Sequence, residues 1–208
     1  MSNLIAIIDC KMGNLRSVQK ALDKIGADNV ITNDHDIIKN ADKIILPGVG
    51  AFKDAMKNLH ELNLVTLLNE EVLHKKKPFL GICLGMQLLG TISEEFGETQ
   101  GLGWIDAKIV KFPQSKLKIP HVGWNNVHCN DSYLFKNIPN EADFYFVHSY
   151  YFQSNKKYSI GECDYGINFT CSVAKENIFA VQFHPEKSQL YGLALLKNFV
   201  NLPKDFSC

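Results

Sequence analysis

Apolar residues in the first half of the chain come as short unbroken runs, and the stretches between them carry apolar residues at helical spacing. The first run, residues 4–8, ends at Asp9. A continuous run of that length reads as a strand covered on both faces. Leu15, Val18, Leu22 and Ile25 then recur at steps of three and four, which predicts an amphipathic helix closed by Gly26. A weaker strand near Val30 and a short polar helix lead to Ile44, Ile45 and Leu46, a strand expected to stop at Pro47. Phe52, Met56 and Leu59 share one helical face, and Leu64, Leu67, Leu68 and Val72 another, before the run 78–82. Strands alternating with helices in this order predict a parallel sheet with right-handed crossovers and helices on both faces. Ligands of such sheets sit beyond the carboxyl ends of the strands, an edge that Asp9, the Pro47 loop and Cys83 share.

The second half is richer in strands. Residues 102–112, 118–124, 144–151, 158–163, 170–174 and 178–183 read as strands separated by polar turns, and 190–200 as a closing helix. The whole, 1–208, is expected to be a single α/β domain of three layers, its mostly parallel central sheet carrying an antiparallel extension. Composition narrows the partners. Twenty-two basic residues cancel 22 acidic ones, which gives no electrostatic reason to expect nucleic acid or an anionic membrane. No apolar segment approaches the roughly 20 residues that cross a bilayer, and residues 1–8 lack the features of a signal peptide, so the expected location is cytoplasmic. The six cysteines, Cys10, Cys83, Cys129, Cys163, Cys171 and Cys208, contain no C-x-x-C pair. Neither a metal site, a cofactor nor a disulfide framework is expected, and five of the six read as structural or incidental.

The exception is Cys83. It sits in GICLG, where an apolar run ends and helical spacing resumes, and Gly81 and Gly85 allow the close backbone approach that a sharp strand-to-helix turn needs. Such a turn exposes the side chain, and the N-terminal end of a helix favours a thiolate. The Leu84 amide points the same way and can donate to an oxyanion on a carbonyl that Cys83 attacks. A cysteine nucleophile needs a base. His184 follows the apolar run 178–183, and Glu186, two residues on, would lie on the same side of an extended segment and hold the imidazole. Pro185 favours that extended geometry at His184. The alternative is an ordinary histidine at a strand end. PGVGAF, 47–52, has two glycines that can turn amides toward an anion or carbonyl, but lacks the lysine and hydroxyl residue of a phosphate-binding loop. Gln87, Glu94 and Glu95 are near enough in sequence to line the same pocket.

These motifs, together with PHVGWN (120–125), FVHSYY (146–151) and QFHPEKS (182–188), resemble the class I glutamine amidotransferases, flavodoxin-like Cys-His-Glu glutaminases that pass ammonia to a synthase. The resemblance runs over nearly the whole chain. It implies Cys83 as nucleophile, His184 as general base and acid, and Glu186 as its orienter. It implies an oxyanion hole from the Leu84 amide and an amide of Val49 or Gly50. L-glutamine would lie against Gly50, Gln87, Glu95, His148, Ser149 and Tyr150. Within the class the chain looks like the branch that forms a heterodimer with a (β/α)8-barrel cyclase subunit in histidine biosynthesis, with Trp124, Asn125 and Lys187 at interface positions. Two departures, Cys10 and Lys11 after the first strand and Val122 in PHVGWN, leave other readings open. One is a paralogue serving a different acceptor, such as a surface-polysaccharide sugar. Independently of those departures, a stand-alone cysteine hydrolase and a silent regulatory subunit are further alternatives, and the intact triad argues against the second.

Overall fold

The apolar runs of the first half become adjacent parallel strands in the computed structural model, which describes residues 3–114, 117–203 and 206. These strands are β1 (Ile5–Ile8), β2 (Asn29–Thr32), β3 (Lys43–Gly48) and β4 (Phe79–Cys83), in spatial order β2-β1-β3-β4. Every residue of β1, β3 and β4 is buried, as continuous apolar runs require. β13 (Ile178–Val181) continues the parallel set beside β4, and from there the sheet turns antiparallel through β12 (Asn168–Lys175), β10 (Tyr150–Ser154) and β7 (Ala107–Lys111). Period-two alternation sends Ile5 and Ile7 to one face of β1 and Ala6 and Ile8 to the other. Helices α1 (Leu15–Lys24) and α6 (Gln189–Val200) cover the first face with Val18, Leu22, Leu195 and Phe199. The second face is closed by Ile38 of α2 (His35–Asn40), Phe52, Met56 and Leu59 of α3 (Phe52–Glu61), and Leu64 and Leu68 of α4 (Leu64–Leu68).

Several boundaries differ from those the sequence pattern predicts. β3 runs through Pro47 to Gly48 instead of stopping. Its pairing with β1 ends at Ile45 while that with β4 continues to Gly48 and Cys83, so Pro47 occupies a one-sided position where its missing N–H is tolerated. α5 (Leu84–Gln87) is a single turn, too short for the helix dipole invoked at Cys83. What remains at that end are the individual amides. The strand expected from Leu102 begins only at Ala107, because Leu102 N and Ile105 N donate to the carbonyls of Leu88 and Leu89 rather than to a ladder. Two-residue strands β5 (Ile92–Ser93) and β6 (Thr99–Gln100) extend that edge and leave no pattern long enough to read.

The expected strand 144–151 is two. β9 (Ala142–His148) pairs with β8 (His121–Cys129), which starts later than expected and runs five residues beyond Trp124. After Ser149 the chain joins β7 and β12 as β10. β11 (Ser159–Asp164) ties the outlying pair back by bonding to both β12 and β8. Ser149 is therefore a corner between two ladders, which brings His148 and Tyr150 to the carboxyl end of the parallel strands.

Candidate active site

Cys83 is the last residue of β4, and its backbone, φ 55° and ψ −108°, lies where L-residues are strained. The flanking glycines make that turn possible. A Cβ on Gly85 would stand 1.8 Å from the Leu46 carbonyl oxygen, and one on Gly81 2.7 Å from that of Gly85. The turn does not expose the side chain as expected: Cys83 is buried at the cleft wall, where Sγ donates to the Val147 carbonyl at 3.9 Å and accepts from Gln182 Nε2 at 3.7 Å.

His184 enters from the end of the β13 segment. Its Nδ1 is 2.8 Å from Glu186 Oε1, with both side chains almost fully buried. The contact is the one expected, though its geometry is not. His184 is extended, φ −101° and ψ 93°, but Pro185–Lys187 forms a 3-10 turn that swings Glu186 back toward the ring, rather than an extended segment. Burial disfavours charge on His184. The Cys83 sulfur and the Glu186 carboxylate outweigh it and raise the imidazole to about 10. His184 Nε2 is buried and hydrogen-bonds no described residue.

A cleft of about 380 Å³ opens beside the thiol and is lined by Cys83 and by every oxyanion and substrate residue expected: Val49, Gly50, Leu84, Gln87, Glu95, His148, Ser149 and Tyr150. Glu95 is fixed there because Phe52 N, at the uncapped start of α3, donates to its Oε2 at 2.7 Å. Gly50, at φ +105°, holds a backbone angle that side-chain-bearing residues rarely adopt, whereas its nearest neighbour, Met12 Cε, is the mobile end of a flexible side chain. Glu94 is exposed and lines no part of the cleft, and Asp9 accepts from Lys11 N within its own turn. Among the other cysteines, Cys10, Cys163 and Cys171 are buried and burial raises their thiols; Cys208 lies outside the described residues.

Sequence reasoning overlooked Gln182 and His121. Gln182 is fully buried against the sulfur, and the only signal for it was a polar residue interrupting an apolar run. His121 Nδ1 is 3.1 Å from His148 Nε2, and His148 Nδ1 is 2.9 Å from the Tyr150 carbonyl. A carbonyl only accepts, so His148 carries its proton on Nδ1 and His121 must donate to the other nitrogen. Both nitrogens of His148 are thus engaged. Burial drives these imidazoles down, to about 4 for His121 and about 3 for His148.

A strained cysteine elbow, a buried His-Glu pair behind it and a polar cleft at the carboxyl ends of parallel strands define a class of protein, the class-I glutamine amidotransferases, whose family model matches residues 6–202. Two solved structures share the fold: a glutamine amidotransferase, TM-score 0.73 at 15% identity over 94% of this chain and 96% of that one, and PurLQS from Thermotoga maritima, 0.74 at 17% over 97% and 99%. Imidazole glycerol phosphate synthase subunit HisH 1 of Campylobacter jejuni strain RM1221 is 51% identical over 96% of this chain and all of its own length. HisH 2 of Methanococcus maripaludis is 50% identical over 95% and 98%, and HisH of Nitrosospira multiformis 47% over 94% and 96%. The chain belongs to the HisH family of imidazole glycerol phosphate synthase subunits within that class.

Proposed function

We propose that the chain hydrolyses L-glutamine on the Cys83–His184–Glu186 triad and delivers the ammonia to a cyclase subunit of (β/α)8-barrel fold in the cytoplasm. The partner then forms imidazole glycerol phosphate and aminoimidazole carboxamide ribonucleotide for histidine biosynthesis. The observation that carries this reading is the strained Cys83 on the cleft wall together with the buried His184–Glu186 contact of 2.8 Å behind it. The thiolate attacks the γ-carbonyl carbon of glutamine and forms a C–S bond, while the oxyanion meets the Leu84 amide and an amide of Val49 or Gly50. The C–N bond breaks as His184 gives its proton to the departing ammonia. His184 next takes a proton from water, whose oxygen attacks the thioester, and glutamate leaves with the thiolate restored. Glu186 holds the ring throughout. Glu95 meets the substrate's ammonium group.

An exposed apolar strip near the cleft fits the partner: Val122 is 54% exposed, Trp124 48% and Leu190 72%, with Lys187 Nζ 5.8 Å above the Tyr145 ring beside Trp124. Asn125, next to Trp124 on β8, points to the strand's other face, where its Nδ2 donates to the Asp164 carbonyl at 2.8 Å. A peptide next to Gly48 or Gly50 rotates at low steric cost, so the second oxyanion donor can be withheld until the partner is loaded. Absence of one such donor costs about 10² to 10³ in rate. Steady-state glutaminase kinetics on the chain alone, with cyclase, and with cyclase plus its ligand should give kcat rising across the series, most at the last step. Full activity in the chain alone would favour a stand-alone hydrolase. A different acceptor gains support from one observation, that a single Methanococcus maripaludis strain carries both HisH 1 and HisH 2, each 50% identical to this chain. Activation by a sugar-amidating partner and not by cyclase would select it.

A further inference from the structure

We infer that Gln182 is a further catalytic residue, an N–H donor to the Cys83 sulfur whose orientation is imposed by a hydrogen-bond chain reaching back to β8. The inference rests on Cys83 as the nucleophile. The chain's directions follow from groups that can act in only one way. The Tyr150 carbonyl accepts from Gln87 Nε2 at 3.0 Å as well as from His148 Nδ1. That fixes the nitrogen of the Gln87 amide on the Tyr150 side. The same nitrogen lies 3.1 Å from the Gln182 side chain, so Gln182 must present its oxygen to it. Its amide nitrogen is left facing Cys83 Sγ at 3.7 Å. A flip would set two amide nitrogens against each other in a buried site, and Gln182 has no exposure through which water could repair that.

On the other side, His121 donates to His148, and Asn125 Nδ2 lies 3.3 Å from His121 Nε2 while also donating to the Asp164 carbonyl at 2.8 Å. His121 is clamped between Tyr165 and Phe146, with ring centroids 3.9 and 4.7 Å away. Asn125, His121, His148, the Tyr150 carbonyl, Gln87 and Gln182 thus form one chain of hydrogen bonds from the strand carrying Trp124 to the nucleophile. At the sulfur the contacts discriminate between protonation states. The Val147 carbonyl can pair only with the thiol, whereas the Gln182 N–H pairs best with the thiolate.

The test reads thiol chemistry and needs neither glutamine nor partner. Iodoacetamide alkylation of Cys83, followed by mass spectrometry across pH 5 to 10, should shift up by about one pH unit in Gln182→Met, a tenfold slower reaction at a fixed pH below both midpoints. Gln182→Glu keeps an acceptor for Gln87 but sets a carboxylate oxygen against the sulfur, and should shift further. Superimposable profiles in folded Gln182→Met and the unsubstituted protein overturn the inference. Cys83 reacting no faster than a free thiol would instead undo its assignment as nucleophile, and the difference between the two proteins would still read the Gln182 contact. If Gln182→Met does not fold, the unsubstituted protein answers. Its Gln182 side-chain amide resonance should follow the pH midpoint of Cys83 alkylation, and a flat resonance overturns the inference.

Discussion

His184 and the pair His121–His148 are buried to a similar degree, at 2%, 2% and 6% exposure, yet their surroundings push them in opposite directions. Burial lowers all three. Around His184 the Cys83 sulfur and the Glu186 carboxylate reverse it, to about 10. No carboxylate among the described residues acts on the pair. Phe112, Phe146, Phe169 and Tyr165 crowd the rings, the Tyr150 carbonyl is the one contact that raises His148, and His121 and His184 add their repulsion. The difference teaches that partners, not depth, decide a buried histidine's charge. One histidine is thereby held protonated, as its proposed role of donor to departing ammonia requires. The other two stay neutral and keep fixed tautomers.

Breaking the charged side of this comparison should have the largest effect. Cys83→Ala removes the proposed nucleophile and one of the two groups that hold the proton on His184. Glutamate release should vanish, while a partner complex built with it should still turn over on added ammonia; loss of both would mean that assembly failed. Glu186→Gln should come next. An amide cannot stabilise the imidazolium, so the His184 titration, followed by NMR, should fall from about 10. The glutaminase rate should drop by less than the roughly 10⁴ seen when a serine triad loses its aspartate, since a thiolate needs less help. An unchanged rate would remove Glu186 from the mechanism.

The neutral side is sharpened by acid. His121 and His148 bind protons at about 4 and about 3 in the fold but near 6.5 when unfolded, so between those values the unfolded chain holds more protons. Their contribution is complete above about 6.5 and shrinks as the pH falls, by about 2 kcal/mol each at pH 5. His184 behaves in the opposite sense: its contribution is complete below 6.5 and disappears as the pH climbs through about 10. Urea denaturation at pH 5, 7 and 10 should therefore find stability lost toward both ends. His121→Phe should flatten only the acid limb, and an acid limb identical in that variant would contradict the assignment.

How far the sequence could be read depended on how local each feature is. The parallel strands were legible because a strand buried on both faces writes its whole length in apolar residues, as β1 and β4 do. Cys83, Gly85 and the PGVGAF loop were legible because the turn's constraints fall within a few residues. The antiparallel half was blurred where the chain changes ladders, since FVHSYY is apolar and aromatic straight through the corner at Ser149. The partnership of His184 with Glu186 came from their spacing, but not the 3-10 turn that makes it. Gln182 and His121 were missed for a plainer reason. Their partners stand 99 and 27 positions away, and no local pattern encodes a hydrogen bond across the fold.

The backbone of Cys83 also has an evolutionary side. Its dihedrals strain a cysteine, by about 1–3 kcal/mol for residues held in such regions, but are open to glycine. A gene copy released from making ammonia would find glycine at position 83 a downhill step, one that silences the chemistry and relaxes the fold together.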